Sequence, residues 1–292
     1  MFRLATIKQV VRTTYSSVQR KHTSQLAAGL SYYFVLSLFP ALIAFAAAVS
    51  LLPIPHLFDQ ILGLMARFVP ADSMGLVRSV LKNVISGHGG SFLSLGIALT
   101  IWTASGGFAA VIDALNVAYD IPEKRSFLHR RLLAVGLAFC VGTLMILALT
   151  LMVVGPDFGI WLAKKAGVSR VFVIVWPYLR WAICVACAVL SIELIYAWGP
   201  SIRRSLRATL PGACIAVATW LVLSSALSLY LRSFTRLNKT YGALAAGIAL
   251  MLWLYWTAFS ILVGAEFSAE LMQAHDRETK PRSVPATAGS TQ

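Results

Sequence analysis

Hydrophobic residues in this chain fall into blocks far longer than a buried soluble helix needs. Mainly apolar runs cover about residues 30–52, 92–119, 132–155, 177–198, 211–231 and 242–267. A helix rises about 1.5 Å per residue, so roughly 20 apolar residues cross the hydrocarbon layer of a bilayer. The pattern predicts an all-α, polytopic membrane protein with six transmembrane helices. Prolines punctuate the blocks: Pro40 falls inside the first, Pro53 and Pro55 close it, Pro156 closes the third, and Pro177 and Pro211 open the fourth and fifth. Proline suits a first helical turn. Deeper in a membrane helix it needs neighbours that satisfy the freed carbonyl.

Around the blocks the periodicity changes. In residues 3–20, Leu4, Ile7, Val11, Tyr15 and Val18 recur at helical spacing among Arg3, Lys8, Arg12 and Arg20. This predicts a basic amphipathic helix on the membrane surface, within an N-terminal segment of residues 1–29. Residues 56–91 carry two further amphipathic stretches, parted by Pro70-Ala71-Asp72-Ser73 with its turn and N-cap chemistry. They read as a helical hairpin outside the membrane core. Residues 156–176 read as a loop with a short helix near Trp161, and residues 268–292 as a mostly disordered tail. The first thirty residues lack a short apolar core followed by a small-residue cleavage site, so the first span is expected to anchor the chain itself.

Composition agrees: 58% of the residues are hydrophobic and 12% charged, against about 25% charged in a soluble domain. The formal net charge is +14, which in a soluble protein points to nucleic acid. Here the cations cluster between membrane blocks, where they hold loops in the cytoplasm and meet anionic lipid headgroups. Membrane lipids are therefore the expected partners, and nucleic acid is not. Lys124, Arg125, Arg130 and Arg131 crowd one loop, and Arg203, Arg204 and Arg207 another. Both loops fall on the side of the two termini, so the termini are expected in the cytoplasm. Cys140, Cys184, Cys187 and Cys214 all lie in apolar runs. No disulfide framework is expected there, and the C-x-x-C at Cys184 reads as small apolar filler.

Ionisable groups inside the blocks are the candidate chemistry. Asp113 and Asn116 lie toward the cytoplasmic end of the second span, Glu193 near that end of the fourth, and Glu266 at the end of the sixth. A charge at the bilayer centre costs at least about 2.5–3.5 kcal/mol, so such a group faces a partner or a cavity. Two readings stand. The four form a polar cluster lining an inward-facing cavity for a cation, a proton or a polar headgroup, or they cap helices and pair with Lys124, Arg203 or Arg204. Glu266 falls near a predicted helix C-terminus, where the dipole disfavours an anion, which argues for a specific partner. Pro40, Gly106, Gly107, Pro211, Gly212, Gly242 and Gly247 mark close helix packing or hinges. Trp253, Tyr255 and Trp256 lie mid-span.

Four stretches carry a resemblance. They are Ala27-Ala28-Gly29-Leu30-Ser31-Tyr32-Tyr33-Phe34 running into Ser37-Leu38-Phe39-Pro40; Trp102-Thr103-Ala104-Ser105-Gly106-Gly107 followed by Ala114-Leu115-Asn116-Val117-Ala118-Tyr119; Pro211-Gly212-Ala213; and Tyr241-Gly242-Ala243-Leu244 with Leu252-Trp253-Leu254-Tyr255-Trp256 and Gly264-Ala265-Glu266-Phe267. Together they resemble the YihY/virulence factor BrkB family of bacterial inner-membrane proteins, over about residues 20–272. The resemblance implies six spans, a bacterial inner-membrane location and cytoplasmic ends. It implies little about activity: members were once labelled ribonuclease BN, a misassignment, and others are associated with serum resistance, lipopolysaccharide export or solute transport.

Metal-dependent hydrolysis needs clustered His, Asp or Glu, whereas His22, His56, His88, His129 and His275 are scattered. No phosphate-binding Gly-Lys-Ser/Thr loop is present either. No metal, cofactor or catalytic residue is therefore expected, and the chain does not read as an enzyme. The expected function is a transporter or flippase-like protein for an amphipathic envelope lipid or related solute. The alternative is a non-transporting organiser or scaffold that binds envelope partners through the 56–91 hairpin.

Overall fold

The computed structural model describes residues 4–50, 90–166, 170–233 and 237–279, and within them every regular element is an α-helix. These are α1 (Leu4–Arg20), α2 (Thr23–Ser50), α3 (Gly90–Ala118), α4 (Phe127–Ala166), α5 (Arg170–Trp198), α6 (Leu206–Ser233) and α7 (Leu237–Thr279). Of the expected 56–91 hairpin, residues 56–89 lie outside the described residues, and Gly90 and Ser91 begin α3.

The long helices close a ring. Each of α2 to α6 packs on the next, α6 packs on α7, and α7 returns to α2 while also touching α1 and α3. One end of the ring gathers the start of α2, the end of α3, the start of α4, the end of α5, the start of α6 and the end of α7. Cross-links define that end: Lys21 reaches both Ala118 and Glu266, and Arg125 reaches Gly199. The core near it is rich in alanine, with Ala27, Ala114, Ala213, Ala258 and Ala265 all buried. Small side chains let helix backbones approach closely, which is how helices associate where lipid offers no hydrophobic contrast.

The outer faces are apolar. Phe139 and Tyr178 are each 76% exposed, and Leu149 and Val222 are also outward. In water such surface would be a liability, but against acyl chains it is the required solvent match. Among the described residues, four helical stretches are long and apolar enough to cross a membrane: Phe127–Met152, Val175–Trp198, Leu206–Tyr230 and Gly247–Asp276.

Helix α1 forms where its periodicity predicts it, but it buries a different stripe. Val10, Thr14 and Ser17 are covered, while Val11 and Tyr15 stay exposed. The covered side lies on α7, where the Ser17 hydroxyl donates to Glu270 Oε1 at 2.6 Å. Val11 and Tyr15 leave an exposed apolar stripe on the other side. His22, at φ 50°, turns the chain into α2, and its carbonyl accepts from Gln25 and Leu26.

Several helix ends differ from the sequence reading. The third block was expected to stop at Pro156 before a loop, yet α4 continues to Ala166. Pro177 and Pro211 were expected to open helices, yet α5 starts at Arg170 and α6 at Leu206, with both prolines inside. The sixth block was expected to end at Phe267, yet α7 runs to Thr279. At three of these ends an apolar block measures only the lipid-embedded length, and the helix continues through the polar interface wherever its backbone bonds are satisfied. At the start of α5 the added turns, Val171 to Trp176, are themselves apolar, and the helix runs on through Pro177.

Candidate functional site

The polar groups converge at the shared end of the ring. Lys21 sits in the turn between α1 and α2, and its side chain is only 8% exposed. Its ammonium donates to the Ala118 carbonyl that ends α3 (2.6 Å), pairs with Asp120 (2.9 Å), and meets Glu266 Oε2 of α7 (3.1 Å). Three donors on one Nζ thus tie three segments together. Glu266 is 1% exposed, and it lies thirteen residues before the end of its helix rather than at it. The expected mismatch with the helix dipole therefore does not arise, and the specific partner is Lys21. Attraction between such groups is strong where water is excluded, but desolvation offsets most of it, so the pair specifies geometry more than it adds stability.

A second buried carboxylate stands on α5. Glu193, 3% exposed, accepts the Thr209 hydroxyl at 2.6 Å through Oε1, while its Oε2 is buried without a hydrogen-bond partner. The Thr209 carbonyl accepts from Ser268 Oγ of α7 at 3.2 Å. These contacts require α6 and α7 to be very close. A Cβ on Gly264 would fall 2.5 Å from the Gly212 carbonyl oxygen, 2.6 Å from the Tyr196 hydroxyl and 2.7 Å from the Ala216 Cβ. The fully buried Tyr196 donates its hydroxyl to the Ile261 carbonyl, so α5 is fastened to the same crossing.

A third knot joins the two short loops. Asn116 is 4% exposed; its Nδ2 donates to Glu123 Oε2 at 2.8 Å, and its Oδ1 accepts the Ser201 amide at 2.9 Å. Glu123 Oε1 accepts the Arg125 amide and the Ser201 hydroxyl, each at 2.8 Å. The Arg125 guanidinium then donates to the Gly199 and Pro200 carbonyls. Burial pushes the Glu123 carboxyl up, but these donors and the Arg125 charge together hold it below the ordinary glutamate range. Asp113 belongs elsewhere. It is exposed and forms an outward pair with Arg130 at 2.6 Å.

Among the described residues no hydrogen bond or ion pair joins any two of Asp113, Asn116, Glu193 and Glu266. Each has its own partner, and none of these partners is Lys124, Arg203 or Arg204. Sequence reasoning missed Lys21, Glu123, Thr209, Tyr196 and Gly264. Gly264 has a sequence signal, a glycine beside Ala265 in an apolar run, the composition of a close helix contact. Of the expected packing residues, Gly212 makes the tight crossing. Gly107 sits in ordinary contact with Ser37 and Phe34 of α2, and Gly106 beside the Arg131 guanidinium, which stacks 4.2 Å from the Trp102 ring. Gly247 has open space beside it, Pro40 lies within α2, and Gly242 lies within α7. At the other end of α5, Arg180 lies across Gly155 of α4, where a Cβ would meet its Cδ at 2.6 Å.

Inside the ring is a chamber of about 270 Å³ to which each of α2 to α7 contributes, through residues that include Phe34, Phe108, Met145, Ile192, Trp220 and Trp253. Its hydroxyls turn back on their own helices: Ser191 donates to the Cys187 carbonyl, Ser260 to Trp256 and Thr257 to Trp253. The Trp220 indole donates to Thr257 at 3.0 Å. With its polar atoms so occupied, the wall presents hydrocarbon, and a chamber of that kind favours an apolar guest over water.

The family model described as Virulence factor BrkB matches residues 14–288. The putative ribonuclease-like protein YfkH of Bacillus subtilis (strain 168) is 34% identical over 259 residues, covering 89% of this chain and 92% of that protein. The UPF0761 membrane protein PBPRA3489 of Photobacterium profundum is 27% identical over 275 residues, covering 92% of this chain and 83% of the relative. A UPF0761 membrane protein of Laribacter hongkongensis is 23% identical over 248 residues, and there the matched part is 57% of the relative's length. This chain thus spans little more than half of some relatives it matches. No solved structure matches it. With a 34% identical relative matched along nearly its whole length and a family model matched along nearly all of this chain, the protein belongs to the Virulence factor BrkB family.

Proposed function

We propose that α2 to α7 all span the bacterial inner membrane, with both termini in the cytoplasm, and that the ring moves an amphipathic envelope lipid or related solute between leaflets. The observation that carries this reading is the apolar chamber walled by all six helices, set in a bundle whose buried polar groups, Lys21, Glu193 and Glu266, lie toward one end. An amphipathic molecule needs that pairing: hydrocarbon for its tail and fixed polar groups for its head. α2 and α3, with 28 and 29 residues, are long enough to cross beside the four helices named above. The basic loops at 120–131 and 199–209 favour placing their end in the cytoplasm.

The chain is read as a carrier and not as an enzyme. The name of the Bacillus relative mentions ribonuclease, but hydrolysis of that kind needs gathered ligands, and among the described residues no three His, Cys, Asp or Glu assemble. The test is transbilayer movement of fluorescent phospholipid in proteoliposomes. The intact protein is expected to exceed empty vesicles, and Ala188→Phe, which fills the chamber, to slow the movement with the fold retained. A wild-type rate equal to that of empty vesicles overturns the proposal.

A further inference from the structure

A groove of about 520 Å³ opens between the start of α6 and the last turns of α7, and nothing above uses it. Arg203, Arg204 and Arg207 line it at the start of α6, with Pro211 one turn further along the same helix, and Leu271 and Met272 line it from α7. Three guanidiniums within five residues make a fork-rich surface suited to phosphate oxygens. The first turn of α6 carries no acid, and the positive end of its helix dipole adds to the potential. Arg204 stands with its guanidinium 5.8 Å from the Tyr119 ring, and its Nε is buried without a hydrogen-bond partner. Asp276 at the rim offsets one of the three charges.

We infer that this groove is a binding site for the phosphodiester headgroup of an acidic phospholipid. Phosphate chemistry follows from the arginines. The lipid source follows from the groove's apolar wall, Pro211 of α6 with Leu271 and Met272 of α7, two helices of spanning length, which offers a path for the glycerol and first acyl carbons. A soluble phosphate would gain nothing from that wall. The site is a binding site whether or not the ring transports, and its readout does not depend on transport.

The experiment uses the full chain in detergent, with native mass spectrometry after addition of equal phosphatidylglycerol and phosphatidylcholine. Wild type is expected to retain the acidic lipid at least about tenfold over the zwitterionic one, given the attraction of each basic residue for anionic headgroups. Arg203→Gln/Arg207→Gln, at two exposed positions, is expected to remove most of that preference. Lys8→Gln/Lys124→Gln removes the same charge from exposed positions elsewhere and is expected to leave the preference intact. An equal fall in both double variants assigns the effect to diffuse surface charge and overturns the site, as does a wild type without preference. Inorganic phosphate is the second arm. Displacement of the lipid by millimolar phosphate, at constant ionic strength, overturns the lipid assignment in favour of a soluble anion.

Discussion

Gly212 and Gly264 face each other so closely that a Cβ on Gly264 would lie 2.5 Å from the carbonyl oxygen of Gly212. The obstacle is backbone, which has no rotamer with which to give way. Gly264→Ala is therefore expected to push α6 from α7 and to cost about 1–3 kcal/mol, the usual range for overpacking. Thermal unfolding in detergent checks this. A stability equal to that of wild type would show that the crossing is looser than described. Gly247→Ala, with open space beside it, serves as the neutral control.

The Lys21–Glu266 pair predicts a non-additive pattern. Removing one partner leaves a buried charge, so Lys21→Met alone is expected to cost roughly 3–5 kcal/mol. Adding Glu266→Gln removes the orphaned carboxylate, and the double variant is expected to be more stable than Lys21→Met alone. Denaturation of the four proteins of this cycle gives the coupling. Strict additivity would mean that the two groups do not interact.

Acid is expected to loosen the junction between the two short loops. Glu123 has its carboxyl pKa held below the ordinary value in the folded protein. Its contribution is therefore complete above the ordinary glutamate range and is lost as pH falls through that range to the lower folded value. Hydrogen exchange at residues 116–126 and 199–205 is expected to speed up across this window, beyond the intrinsic pH trend. In Glu123→Gln that extra acceleration is expected to vanish, with faster exchange already at neutral pH.

The shared end of the ring predicts one-sided labelling. In a background with Cys140, Cys184, Cys187 and Cys214 replaced, Lys124→Cys and Arg203→Cys are both expected to react with a membrane-impermeant maleimide only in inside-out vesicles. Reaction of one in each vesicle type would contradict the ring itself. Reaction of both in right-side-out cells would contradict only the orientation.

Block length made the helices legible, because nothing else in a sequence needs twenty apolar residues in a row. Helix ends were not legible. Residues 206–210 and 268–279 carry polar and charged side chains beyond the apolar blocks, yet they remain helical where Thr209 and Ser268 find backbone or side-chain partners. Burial of Glu193 and Glu266 followed from their apolar neighbours. Their partners did not, since Lys21 lies 245 positions from Glu266 and sits in a basic segment where no single cation stands out. Asp113 shows the same limit from the other side: its sequence neighbours are apolar, but its own face of α3 looks outward to Arg130.

Because α7 seals the ring against α2, the architecture cannot be finished until the last helix has been made. Until then Lys21 has no buried carboxylate to meet, α2 and α6 each carry a bare flank, and the chamber is open to lipid along one side. Assembly is therefore gated by the ribosome reaching the far end of the message. A chain stopped before residue 237 would be left as an open arc of helices, exposed to the quality-control proteases that survey the bilayer.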